Sequence, residues 1–375
     1  MKNYTVFFKR NETSPISYLS GLTPNFSTTN ITVCEKERDF IKKDSGFFSF
    51  NKPVIKGSHT RGRFRNFLSN EIMQNFEGKI DDVKFLVFIA KILFSGSVTN
   101  EKLPSDVKTN LTMTSEIANK NEFFKNFGAM ITFLNSAESN CGIGHLYPLV
   151  VKNSKEKDSI INKAEDLNLK VVYASNINEE ETSLKLKNGN DYKITTPFFK
   201  IETNRVTDKL WETEKYGRTE EEMELIRQYY KEFTQTEKGN GETKDTNKNI
   251  LYNEVIAPVV DFYENIRFLD DDVDTHLGIL TGYKKYFTEI KPYIGGKVAN
   301  FFGAIDSVYI FDENMQEIKY DEDKYFEFIQ NSNPAEFQPI FKSYNEIQKK
   351  NKDKKEKEKS KKKEEKENQK TSKGE

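Results

Sequence analysis

The chain has 375 residues, enough to bury a substantial core in one large or two smaller domains. Lysine and arginine number 58 against 59 aspartates and glutamates, so the net charge of −1 excludes a uniformly basic nucleic-acid coat, and any basic surface must be local. The balance is uneven: residues 349–375 hold thirteen lysines and seven acids, which leaves the body at about −7 and marks a charged tail, disordered or a free helix.

Cys34 and Cys141 are far apart, and His59, His145 and His276 stand at no metal-motif interval, so no disulfide, metal or cofactor is expected. The opening MKNYTVFFKR has no signal-peptide apolar region, and the longest apolar run, residues 85–94, is broken by Lys91 and too short to span a bilayer. The expectation is a cytoplasmic, soluble chain without a membrane partner.

In chain order, the pattern predicts a strand over residues 5–8, a loop-like stretch over 14–44 with a strand-grade piece at 31–33, and an arginine-rich helix from about 60 to 76, ended by Gly78. A second, strongly apolar helix follows over 81–94, then a loop over 95–104, a helix over 115–127, and strands over 130–134 and 146–151, the latter after Gly142 and Gly144. Residues 169–174 and 192–202 read as strands and 220–233 as a charged amphipathic helix; 236–248, without an apolar residue, is a linker. A strand around 256–262 carries Pro258 at a bulge or edge, a helix covers 275–287, and a strand covers 307–311. Strands and helices mix without regular alternation, which favours an α+β fold over a doubly wound one.

The segment PVIKGSHTRGRFRNFLSNEIM, residues 53–73, carries the most information. Phe64, Phe67, Leu68, Ile72 and Phe76 form one apolar stripe on a helical wheel, and Arg61 and Arg65 lie on the same side of the helix. Either these arginines are paired at the end of the core, or they line a groove that holds an anion. Lys56, Ser58, His59, Arg61, Arg63 and Arg65 at a helix start are the donor set that suits phosphate oxygens. Arg63, turned well away from the other two, is expected to meet a neighbouring subunit. A second candidate is YIGGKVANFF, residues 293–302, with Lys297 inside it and Lys284 before it; the P-loop spacing is absent. A third is residues 198–211, FFKIETNRVTDKLW, shaped like a protruding hairpin with Arg205 and Lys209 near its tip. Each has an ordinary alternative: ion pairs, a turn, a surface hairpin. No catalytic set is evident. His59 as a ribonuclease base and Asp44 as a metal ligand are the residues that an enzymatic reading would use.

PVIKGSHTRGRFRNFL and IGGKVANFFGAIDSVYI together resemble the RAMP superfamily of CRISPR proteins, and the order of motifs is most similar to the backbone subunit of class one effector complexes, the Cas-seven family, in its type IV form. The motifs are Arg61-Gly62-Arg63-Phe64-Arg65, Gly142-Ile143-Gly144-His145-Leu146-Tyr147-Pro148 and Thr203-Asn204-Arg205-Val206-Thr207-Asp208. Asn300-Phe301-Phe302-Gly303 departs from the usual Gly-Phe-Gly of the glycine-rich loop. The resemblance implies a modified RRM-like (ferredoxin-like) palm within a domain over residues 1–348, a helical finger insertion at about 79–130, a hairpin thumb with linker at about 190–250, and the tail at 349–375. It implies a non-catalytic subunit that polymerises along crRNA as a helical filament and presents it to target DNA or RNA beside other effector subunits. Lys56, Ser58, Arg61, Arg63 and Arg65 would hold phosphates, Lys284 and Lys297 would support them across the groove, and Arg205 and Lys209 would belong to the thumb. The alternatives are a RAMP endoribonuclease and an interaction protein that binds no nucleic acid.

Overall fold

The computed structural model describes residues 1–20, 31–43, 46–95, 141–153, 157–205, 250–268, 272–296 and 302–338, with scattered positions at 219–224 and 341–360. The elements, in chain order, begin with strands β1 (Lys2–Arg10), β2 (Ile31–Thr32), β3 (Lys36–Lys43) and β4 (Gly46–Pro53), then helices α1 (Gly57–Asn75) and α2 (Val83–Ser95). They continue through β5 (Cys141–Ile143), β6 (Tyr147–Pro148), β7 (Val150–Val151), α3 (Ser159–Asp166), β8 (Val172–Tyr173), β9 (Asn178–Lys185), β10 (Asp191–Thr196), β11 (Phe199–Arg205) and β12 (Ile250–Ile256). The last are β13 (Phe262–Phe268), α4 (Val273–Lys285), β14 (Ile305–Phe311) and α5 (Glu322–Gln330). The fold is α+β. No described helix is long and apolar enough to cross a membrane.

The central sheet is antiparallel, in the order β14-β1-β13-β5, with β6 also paired to β13. Strand alternation gives β1 two working faces. Tyr4, Val6 and Phe8 point toward α1 and α4, where Phe8 meets Tyr283 and Phe287 edge-on, and Tyr283 in turn meets Phe64 of α1 at 5.0 Å between ring centroids. Phe7 points to the other face and packs on Phe311, whose ring lies under Lys163 of α3. Phe64, Leu68 and Ile72 are fully buried, so the predicted apolar stripe of α1 is the stripe that seats it; each such side chain contributes about 1.5–3 kcal/mol.

Outside this sheet, β3 and β4 form a hairpin, β9 and β10 form another, and β11 pairs with β12, flanked by β2. A buried carboxylate organises the base of these pieces: Glu254 accepts from Lys36 Nζ at 2.6 Å, from Tyr192 Oη at 3.0 Å and from the Cys34 amide at 2.9 Å. Arg10, wholly buried, donates to the carbonyls of Ser14, Ile256, Ala257 and Val260 and so ties down the turn between β12 and β13.

Several expectations change. Residues 36–43, placed in a loop, and 46–53, given no element, are two paired eight-residue strands. The strand expected around 256–262 is broken by a turn over 257–261, between the last residue of β12 and the first of β13, where Arg10 holds the carbonyls of Ala257 and Val260. The run 192–202 is split into β10 and β11 at Pro197, after a cis peptide bond. The helix at 115–127, the strand at 130–134 and the linker at 236–248 lie outside the described residues.

Candidate nucleic-acid interface

Helix α1 starts without the usual protection. Lys56 at its N-cap is extended and makes no side-chain cap, and no acid occupies the first turn. The helix is seated instead by its neighbours. Ile55 bridges to Leu146, and the Gly57 amide donates to His145 Nδ1 at 3.1 Å. A Cβ on Gly57 would sit 2.1 Å from the carbonyl oxygen of Gly144, a backbone atom that cannot step aside. Gly57→Ala is therefore expected to cost about 1–3 kcal/mol or more through overpacking. The control is Gly62→Ala, where the added methyl meets nothing within 4 Å and helix propensity should stabilise by about 1 kcal/mol. Thermal melts of the two variants should move in opposite directions.

The other flank is the start of the glycine-rich loop. Arg63 Nη1 donates to the Tyr293 carbonyl at 2.5 Å, with its guanidinium over the Tyr286 ring. His59 Nε2 accepts from the Gly295 amide at 3.2 Å, and its ring meets Tyr18 edge-on. Gly295 needs to be glycine: its φ is +89°, and a Cβ there would press on the carbonyl oxygen of Ser17 at 2.7 Å. Burial, and secondarily the charge of Arg63, push His59 down to about 4, so it is neutral at pH 7. Its free lone pair is already in use, which suits a structural acceptor better than a general base. Arg63, expected to reach a neighbour, is instead tied to its own chain.

Residues one turn apart on α1 form the row Gly57, Arg61, Arg65, Ser69. Gly57 packs on Ile143 and Gly144, just beyond β5, and Ser69 Oγ donates to the Leu93 carbonyl of α2 at 2.8 Å. The two arginines thus lie between the end of β5 and the end of α2. Both are half-buried. Burial lowers the Arg65 pKa and the charge of Arg61 lowers it further, so the two guanidiniums repel each other. Among the described residues, no carboxylate stands within ion-pair distance of Arg61. Lys56 and Ser58 are exposed beside the same helix start; Lys56 pairs with Glu35 at 3.0 Å, which raises its pKa.

The structure does not bring Lys284 to this place. It faces Glu317 at 3.9 Å, past the β14 edge and at the opposite side of the sheet from β5. Lys209, Lys297 and Asp44 lie outside the described residues, and Arg205 is described only as the last residue of β11.

One group beneath the helix start was not singled out from the sequence. Glu264 of β13 is wholly buried on the helix-facing side; Tyr283 of α4 donates to its Oε1, and Thr60 Oγ1 of α1 lies 3.3 Å from its Oε2. Thr60 also donates to the Gly57 carbonyl at 3.2 Å. The Thr60 hydroxyl has one proton to share between the Gly57 carbonyl and Glu264 Oε2. Burial pushes Glu264 up to about 8, against the hydrogen bonds from Tyr283 and Thr60, which lower it. A signal existed: in the alternation Phe262, Glu264, Ile266, Phe268, one charged residue occupies a core-facing position. His145 stood inside a quoted motif, but nothing in the sequence ties it to Gly57.

No family model and no curated protein matches the sequence. Among solved structures, the chain is similar to a chain of the Type IV-B CRISPR complex at 9% identity and a TM-score of 0.35, covering 83% of this chain and 90% of that one. It is similar to Thermofilum pendens Csc2 at 10% identity and a TM-score of 0.28, covering 92% and 76%. A chain of the Type III-B Cmr-beta complex bound to cognate target RNA matches at 10% identity and a TM-score of 0.26, covering 82% and 95%.

Proposed function

We propose that this chain is a non-catalytic backbone subunit of a class one, type IV-like CRISPR effector complex, which binds crRNA and polymerises along it. The observation that carries the reading is the Arg61–Arg65 pair, two half-buried guanidiniums one turn apart on the row between β5 and α2, at a helix start with no acid in its first turn. Guanidinium forks match the oxygens of a phosphate. The Arg61-Gly62-Arg63-Phe64-Arg65 motif, which carries part of the resemblance to the RAMP superfamily, falls at the same helix start.

The topology supports the palm. In sequence, the elements β1, α1, β5, β13, α4 and β14 follow the β-α-β-β-α-β order of a ferredoxin-like unit, with the sheet arranged fourth-first-third-second. The finger is then the insertion over about 79–130, and the thumb is the hairpin whose stem is β11 and β12, paired from Phe199↔Ile256 to Arg205↔Ile250. Lys209 and Arg205 belong to that thumb, and Lys297 belongs to the glycine-rich loop beside His59. Contacts to phosphates without base readout suit a subunit that must hold any guide sequence.

The test is purification of the untagged chain at low salt and measurement of its 260/280 nm absorbance ratio, before and after ribonuclease. A raised ratio that falls on digestion is expected. A protein-like ratio, with no binding to added single-stranded RNA, would favour the interaction protein. Incubation with crRNA, complementary RNA and Mg²⁺ addresses the enzyme; regular-interval cleavage that is lost in Asp44→Ala would overturn the non-catalytic reading.

A further inference from the structure

The hairpin of β3 and β4 leads directly into α1, and one of its faces is not packed. Directly paired residues share a face, so Arg38, Phe40 and Lys42 of β3 lie on one side with Phe47, Ser49 and Asn51 of β4. The opposite face holds Ile41, Phe48 and Phe50, where Ile41 and Phe50 are buried and Phe50 stacks on Phe198. The first face is open at its outer end: Phe47 is 82% exposed and Phe40 57%, and Arg38 and Lys42 are also exposed. Two phenylalanines this exposed on one hairpin face are a costly arrangement unless something covers them.

The charges on the face indicate what does. Arg38 and Lys42 flank Phe40 along β3, Ser49 on the same face accepts from Arg38 Nη2 at 2.7 Å, and at the base of the face Lys36 is paired with Glu254. Among the described residues, the hairpin's acids Glu37 and Asp39 are turned to the opposite face, where Asp39 is held by Lys52 at 3.1 Å and Lys152 at 2.7 Å. Aromatic rings interleaved with cations, without a carboxylate between them among the described residues of the outer end, provide stacking surface for bases and charge for the backbone between them.

We infer that the Arg38–Phe40–Lys42–Phe47 face of this hairpin is a second nucleic-acid contact, which stacks bases of a single strand. The inference rests on the proposed RNA-binding function and adds a site to it. Eight residues per strand let the hairpin reach about 26 Å from the start of α1, so the same strand can lie on Arg61 and Arg65 and continue onto Phe40 and Phe47. The arginine row supplies phosphate contacts, and the hairpin supplies stacking.

The experiment measures binding of a fluorescein-labelled 30-nucleotide single-stranded RNA by the full chain as a function of salt, with self-association followed by sedimentation velocity. Phe40→Ala with Phe47→Ala should weaken binding by about fivefold or more per ring, with an unchanged salt slope. Phe40→Leu with Phe47→Leu should lose nearly as much, since leucine keeps apolar area but does not stack. Arg38→Gln with Lys42→Gln should lower the salt slope by about 1.4. All these side chains are exposed, so circular dichroism should match the parent. Loss of binding in Arg61→Ala/Arg65→Ala with none in the phenylalanine variants would overturn this inference and leave the proposed function standing. Failure of the parent chain to bind RNA would overturn both. Unchanged RNA affinity with reduced self-association in the phenylalanine variants would assign the face to a contact between copies and overturn the inference.

Discussion

Replacing Arg61 and Arg65 together by alanine is expected to weaken single-stranded RNA binding by roughly 30- to 1000-fold at moderate salt, from about 1–2 kcal/mol for each charged contact. The loss should be similar for RNAs of different sequence, because a phosphate contact carries no base information. The slope of log affinity against log salt should fall by about 1.4, since two phosphates of a single strand are no longer neutralised. Arg61→Lys with Arg65→Lys should keep most of the slope and lose part of the affinity, because an ammonium supplies the charge without the planar fork. An unchanged salt slope would remove the arginine row from the interface and the proposed function with it. Fluorescence anisotropy at several salt concentrations measures both effects.

The second large effect concerns Glu264. Its folded-state pKa of about 8 lies above the ordinary glutamate value of 4.5, so between these values the folded protein binds a proton that the unfolded chain has released. Stability must then fall as pH rises through that window and level off above about 8. Glu264→Gln keeps a carbonyl acceptor at this place and has no titrating proton. The variant should match the parent near pH 5 and exceed it by several degrees in Tm near pH 9. The difference between the two melts isolates this one group from the other titrating side chains. A difference that stays flat from pH 5 to 9 would mean that Glu264 is ionised in the folded state throughout.

How much of this was legible in the sequence depends on whether the deciding contact was local. The stripe Phe64, Leu68, Ile72, Phe76 is a matter of helical period, and it is buried as its spacing requires. Helices α2 and α4 and the strands β1 and β14 were legible for the same reason, within a few residues at their ends. The β3–β4 hairpin was not: KERDFIKK places charges on both faces, and its alternation means little until Phe50 is seated against Phe198. Pro258 misled in the other direction, suggesting a bulged strand where a buried arginine 248 positions earlier stitches a turn.

The same division holds for the candidate site. From the residues alone came an α+β chain, a local rather than global basic surface, and an amphipathic helix opened by arginines; these are properties of composition and period, which a chain carries before it folds. The tertiary structure divided those arginines. Arg63 is taken up by the Tyr293 carbonyl, His59 is made neutral by burial, and Lys284 is placed toward Glu317 at the far edge of the sheet, while Arg61 and Arg65 stand one turn apart on the row from Gly57 to Ser69. Such outcomes depend on partners some 30 to 230 positions away in sequence, and on the desolvation that only a packed neighbour imposes.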